Sequence, residues 1–159
     1  NRSKNISHYD EKDIRNDIVQ SLLDQYPCCT VFEKPHPRSE SNICLPTNNE
    51  KIFWLVIENE ELQNLCWWSD IVIGIKSMGL LESALLGTPT VSYQPDAYGN
   101  ISCIAVRKGL IPCYHNTEDL KLWFKRIRTS EKKECILAPD FARPDAAKLV
   151  SEVIEEFAS

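Results

Sequence analysis

Residues 70–93, DIVIGIKSMGLLESALLGTPTVSY, crowd four chemically useful groups together: the Lys76 ammonium, the Ser77 hydroxyl, the open backbone of Gly79 and the Glu82 carboxylate. An apolar run ends just before them, and a helical pattern begins among them. A helix start carries free N–H groups and a partial positive charge. Gly79 would let a ligand approach the backbone, Ser77 can donate to a phosphate oxygen, and Lys76 adds charge. Such a turn suits an anion, and a diphosphate is a natural occupant. Glu82, one turn further on, is placed to accept hydrogen bonds from ribose hydroxyls. A plainer reading stands beside this one: Ser77 as an N-cap and Glu82 as an acid complementing the helix dipole. The turn is not a Walker loop, and it lacks the G-x-G-x-x-G pattern.

A second segment, EKPHPRSE (33–40), holds His36 between two prolines with Lys34 and Arg38 beside it. The prolines keep the backbone extended and the imidazole in a narrow range of positions. His36 can then donate to a phosphate or a leaving group, and Arg38 can grip a phosphate with two N–H groups. The same residues also describe a rigid turn with a solvated ring. His8 falls in a polar N-terminal segment, and His115, in YHNTED, reads as part of a surface loop. Gln94, Asp96 and Tyr98, in YQPDAYGN, lie where they can touch a sugar or base. Trp67 and Trp68 read as packing residues.

These groups must be positioned by regular elements. Ile14, Ile18 and Leu22 recur at helical spacing across 11–26, with Asp10 as cap and Pro27 beyond the end. CCTVFEK (28–34) reads as a strand. KIFWLVI (51–57) fits a strand or an apolar turn, and 59–69 a helix. DIVIGI (70–75) has the unbroken apolar character of a strand covered on both faces. Helix 78–87, strand 89–93, helix 100–109 and strand 110–114 follow. Thr117 is expected to cap the next helix, and a last helix opens near Pro144. The alternation predicts an α/β fold: a three-layer Rossmann-like sandwich with a mostly parallel sheet, in one domain spanning 1–159. Ligands of open α/β sheets bind along the edge formed by the strand C-termini. Both chemical segments leave strands at that edge.

Composition narrows the function. The 159-residue chain has a formal net charge of −5, which argues against a general nucleic-acid binder. Its seven cysteines form no C-x-x-C pair, and most sit in apolar runs, so they read as reduced thiols of a cytoplasmic protein. No Cys/His spacing suits zinc, and no metal is expected. The N-x-S sequons at Asn5 and Asn100 matter only in a secreted chain. The sequence contains no signal peptide, transmembrane run or lipidation motif.

In order, KPHPR, SDIVIGIKSMGLLESALLGTPTVSY and RKGLIPCY resemble the C-terminal half of GT-B-fold enzymes. That group includes bacterial surface-polysaccharide glycosyltransferases and non-hydrolysing UDP-N-acetylglucosamine 2-epimerases. The resemblance covers residues 28–115, and the combination is more specific than any part. It implies a domain that holds the nucleotide of a sugar donor. It implies Glu82 on the ribose, Ser77, Met78 and Gly79 at the diphosphate, and Lys76 in place of a second hydroxyl. It also implies His36 near the phosphates as the catalytic candidate, with Arg38 its neighbour. The expected ligand is a nucleoside diphosphate sugar, UDP-linked by analogy with CMP and GDP open, and no further cofactor. The expected activity is glycosyl transfer in surface-polysaccharide or glycan synthesis, in the cytoplasm or at the inner face of the membrane. Epimerases usually carry Ser-Ser or Ser-Gly at the turn, so Lys76-Ser77-Met78-Gly79 favours a transferase. An epimerase-like domain and a non-catalytic binding module are the alternatives. A GT-B enzyme has two Rossmann-like domains, so the resemblance implies that this chain is the donor half. An N-terminal Rossmann-like domain or partner subunit would supply the acceptor site and base.

Overall fold

Side chains of alternating residues leave a strand on opposite faces, and in this chain the two sets meet two different helix layers. The computed structural model describes residues 10–35, 50–95 and 103–129. Within them, ten elements follow in order: α1 (Glu11–Leu23), β1 (Cys29–Glu33), β2 (Ile52–Val56), α2 (Leu62–Trp68), β3 (Val72–Gly74), α3 (Gly79–Leu85), β4 (Thr90–Tyr93), α4 (Ile104–Arg107), β5 (Cys113–Tyr114) and α5 (Thr117–Thr129). Every strand pairing is parallel: β1 with β2, and β3–β4–β5 in that order. The protein is therefore α/β with short parallel strands, as the alternation predicts. The expected last helix lies outside the described residues.

One core lies under α1 and α5. Val91 and Tyr93 of β4 pack there with Leu22, Leu120, Trp123 and Phe124. Cys29 and Val31 of β1, Ile71 and Ile73 around β3, and Tyr114 of β5 join the same cluster, so both strand sets share it. Tyr26 meets Phe124 edge-on at 6.2 Å between ring centres. The second core faces the other way. There Val72 packs with Leu80, Leu81, Cys103, Ala105 and Ile111 under α3 and α4. Ile71 and Ile73 face one layer while Val72 faces the other, which gives the strands helices on both sides.

The strand β4 is buried along its whole length, polar residues included. Its hydroxyls are all bonded. Thr90 Oγ1 donates to the Thr88 carbonyl at 2.7 Å, so at 2.8 Å it must accept from Ser83 of α3. Thr88 in turn donates to the Cys66 carbonyl of α2 at 2.8 Å. These bonds lock α2, α3 and β4 together without leaving a buried polar group unpaired.

Helix ends follow local rules. Asp10 caps α1 as expected, its Oδ1 accepting from Asp13 N–H at 2.8 Å. The cap of α5 is Asn116 rather than the expected Thr117: Asn116 Oδ1 accepts from Asp119 N–H, and Asn116 Nδ2 returns a bond to Asp119 Oδ2, both at 2.8 Å. An amide offers both donor and acceptor, so Asn completes this reciprocal box where a Thr one residue later is already helical. Both α3 and α4 close through a left-handed glycine, Gly87 at φ 78° and Gly109 at φ 69°. In each, the glycine N–H and the next N–H reach back to the last turn, Gly87 to Ala84 and Thr88 to Ser83, Gly109 to Val106 and Leu110 to Ala105.

Three further sequence expectations are resolved or corrected. KIFWLVI, left between strand and turn, is the strand β2, paired with β1 along its whole length. The helix expected over 59–69 is confined to 62–68. Trp67 and Trp68 do not pack: they are 66% and 69% exposed. Helix α2 turns Leu65 and Cys66 inward, and the indoles follow on its outer side.

Candidate ligand-binding edge of the sheet

The strands form two parallel sheets rather than the one expected, β1–β2 and β3–β4–β5, and within each the strand exits share an edge, so the residues just after β3, β4 and β5 form the rim of the larger. After β1 comes Lys34, expected to add positive charge beside His36. Its ammonium donates to the carbonyls of Glu58 and Glu60, at 2.8 Å to the second. It ties the exit of β1 to the chain entering α2. His36 and Arg38 lie outside the described residues, as do Asp96, Tyr98 and His8.

After β3 the chain turns through Lys76, Ser77 and Met78, all exposed. Ser77 Oγ accepts from the Gly79 N–H at 3.0 Å, and the Ser77 carbonyl accepts from Leu80 N–H at 3.2 Å. Met78 carbonyl takes the N–H groups of Leu81 and Glu82. The first amides of α3 are therefore already bonded within the turn. The amides of Ser77 and Met78 have no partner among the described residues, and the Ser77 hydroxyl keeps its own proton to donate. Lys76 makes no ion pair among the described residues.

Gly79 is buried rather than presented at the rim. A methyl group at its Cα would meet Leu62 Cδ2 of α2 at 2.5 Å. Close approach does require this glycine, and the approaching atom belongs to a neighbouring helix. Glu82, one turn on, is half-buried, and its carboxylate has no hydrogen-bond or ion-pair partner among the described residues. Its charge helps raise the Cys66 thiol above its ordinary range, behind the larger effect of burial. Glu82 thus lies toward α2, on the stripe that Gly79 begins.

After β4 comes Gln94, only 6% exposed. Its N–H continues the parallel ladder to the Tyr114 carbonyl at 2.9 Å. Its side-chain Nε2 lies 2.7 Å from the Ile75 carbonyl and 2.7 Å from Ser92 Oγ. Ser92 donates its own proton to the same Ile75 carbonyl. The exit of β3 is thus held from two sides by β4. After β5 comes His115, whose Nδ1 lies 2.6 Å from the Gln94 carbonyl while the ring remains exposed.

The rim of β3, β4 and β5 is one bonded unit: Ile75 to Gln94, and Gln94 to His115. Sequence reasoning named Gln94 without a role and left His115 as a loop residue. The only signal for their connection was position, each directly after a strand. Among the described residues no helix is long and apolar enough to cross a membrane. No protein-family profile matches this chain, and neither a curated protein nor a solved structure matches it at a significant level.

Proposed function

We propose that the chain is the donor-binding half of a GT-B-type glycosyltransferase and that it holds a nucleoside diphosphate sugar at the edge where β3, β4 and β5 end. The observation that carries this reading is the parallel topology itself. It brings the Lys76 ammonium, the Ser77 hydroxyl proton and the amides of Ser77 and Met78, none of them paired among the described residues, to the same rim as Gln94 and His115. Lys76, Ser77 and the amides of Ser77 and Met78 bind the diphosphate. The Glu82 carboxylate, unpaired among the described residues, accepts from ribose hydroxyls. Because the amides of Gly79, Leu80 and Leu81 are taken up internally, the anion rests more on Lys76 than on the helix dipole.

In transfer, this half would stabilise the leaving diphosphate by charge and hydrogen bonding. A base on an N-terminal Rossmann-like domain or a partner subunit would activate the acceptor hydroxyl. His36 and Arg38 complete the phosphate contacts in this reading. Surface-polysaccharide or glycan synthesis is the proposed setting, in the cytoplasm or at the inner membrane face.

Calorimetric titration with UDP, CMP and GDP, each with and without a sugar, tests the reading. Glu82→Ala should weaken nucleoside diphosphate binding by about 1–3 kcal/mol, the range for losing hydrogen bonds to a charged group. Unchanged affinity removes Glu82 from the site; absence of binding by the unaltered chain removes the function.

A further inference from the structure

The described rim carries donors at the exit of β3 and acceptors at the exits of β4 and β5. The acceptors follow from the proton count. A carbonyl oxygen can only accept, so Nδ1 of His115 must carry the proton in its bond to Gln94. In the neutral tautomer with that proton, Nε2 is a bare acceptor on an exposed side chain. Gln94 is constrained in the same way. Ser92 gives its proton to Ile75, so its oxygen accepts from Gln94 Nε2, and the second amide proton goes to Ile75. Oε1 of this side chain is an acceptor with no partner among the described residues, and it is not sealed from solvent.

We infer that His115 Nε2, backed by Gln94 Oε1, is a hydroxyl-reading acceptor site at the exits of β4 and β5, taking a polyol group attached to the anion held at Lys76 and Ser77. This rests on the nucleotide-sugar reading, in which Glu82 takes the ribose; the polyol left for His115 is the transferred sugar. The arrangement suits selectivity. Two neighbouring acceptors match hydroxyls, which can donate to both. The positions are firm because Ile75 is the residue before Lys76. Two hydrogen bonds, Gln94 to Ile75 and His115 to Gln94, connect the anion end with the hydroxyl end. His115 is therefore a binding residue that distinguishes a sugar-bearing diphosphate from the bare one.

The test compares UDP with UDP-glucose, UDP-galactose and UDP-N-acetylglucosamine by calorimetry, on the unaltered chain and on His115→Asn. Asn retains an amide donor near the Nδ1 position, so the bond to Gln94 survives while the Nε2 acceptor is lost. The affinity advantage of the best UDP-sugar over UDP should fall about 2- to 12-fold, one hydrogen bond's worth, with UDP itself unchanged. In parallel, the ¹⁵N resonance of His115 Nε2 in the unaltered chain should move when that UDP-sugar is added and stay in place with UDP. An advantage that survives in His115→Asn, a sugar that adds nothing to UDP affinity, or an unmoved Nε2 resonance overturns the inference and leaves the nucleotide reading intact. A chain that binds neither UDP nor any UDP-sugar overturns both.

Discussion

Gly79 offers a sharp test of whether the turn before α3 is shaped by packing or by a ligand. A β-carbon at this position would sit 2.5 Å from Leu62 Cδ2, whereas ordinary contact begins at 3.4 Å. Leu62 must therefore shift by most of an ångström or the helices must part. Overpacking costs about 1–3 kcal/mol, and the low end applies here because the obstacle is the end of a half-buried Leu side chain that can turn aside. Against it, Ala is favoured over Gly within a helix by about 0.8–1.0 kcal/mol. Gly79→Ala should therefore destabilise by roughly 0–1 kcal/mol. In a Leu62→Ala background the obstacle is gone, and the same substitution should become neutral or stabilising by up to about 1 kcal/mol. The coupling between the two sites is then about 1 kcal/mol, large enough to read from urea denaturation of the four proteins. Additive effects, with Gly79→Ala equally harmful in both backgrounds, would refute the packing argument and return Gly79 to a ligand-facing role.

Other outcomes follow from the same geometry. Gly109→Ala meets no neighbouring atom but must adopt φ 69°, so thermal unfolding should show a loss of about 1–2 kcal/mol, the left-handed strain alone. Asn116→Ala should cost about 1 kcal/mol in chemical denaturation while Thr117→Ala costs much less, since Asn116 holds the cap of α5. Burial raises the Cys29, Cys66 and Cys113 thiols above the ordinary 9.0. Above that value the unfolded chain loses thiol protons that the folded chain keeps, so stability should fall as pH rises from 9 upward, measured by denaturant midpoints across the range. A stability that climbs over that range contradicts the assignment.

Much of the fold was legible because periodicity and punctuation agreed. The apolar spacing of Ile14, Ile18 and Leu22 belongs to α1, and Gly87 and Gly109 stand where two helices end in left-handed turns. KIFWLVI is ambiguous because a six-residue apolar run has the same composition in a strand and a buried turn; its pairing with β1 decides, and pairing is not a local property. The indoles of α2 were misjudged because residue type suggests burial while the helix register decides it. The site was less legible. Lys76, Ser77 and Met78 are at the rim as their position after an apolar run implies. Lys34 and Gly79 have roles that depend on α2, which no local pattern reveals. The link from Gln94 to His115 joins residues from two strand exits, and only the parallel order of β4 and β5 brings them together.

The most direct measurement is an amide chemical-shift map of the ¹⁵N-labelled chain during titration with UDP. The account predicts saturable shifts concentrated at Ile75 through Met78 and at Glu82, with α1 and α5 silent. Saturable binding whose shifts fall on α1 and α5, or no shifts at all, would contradict it.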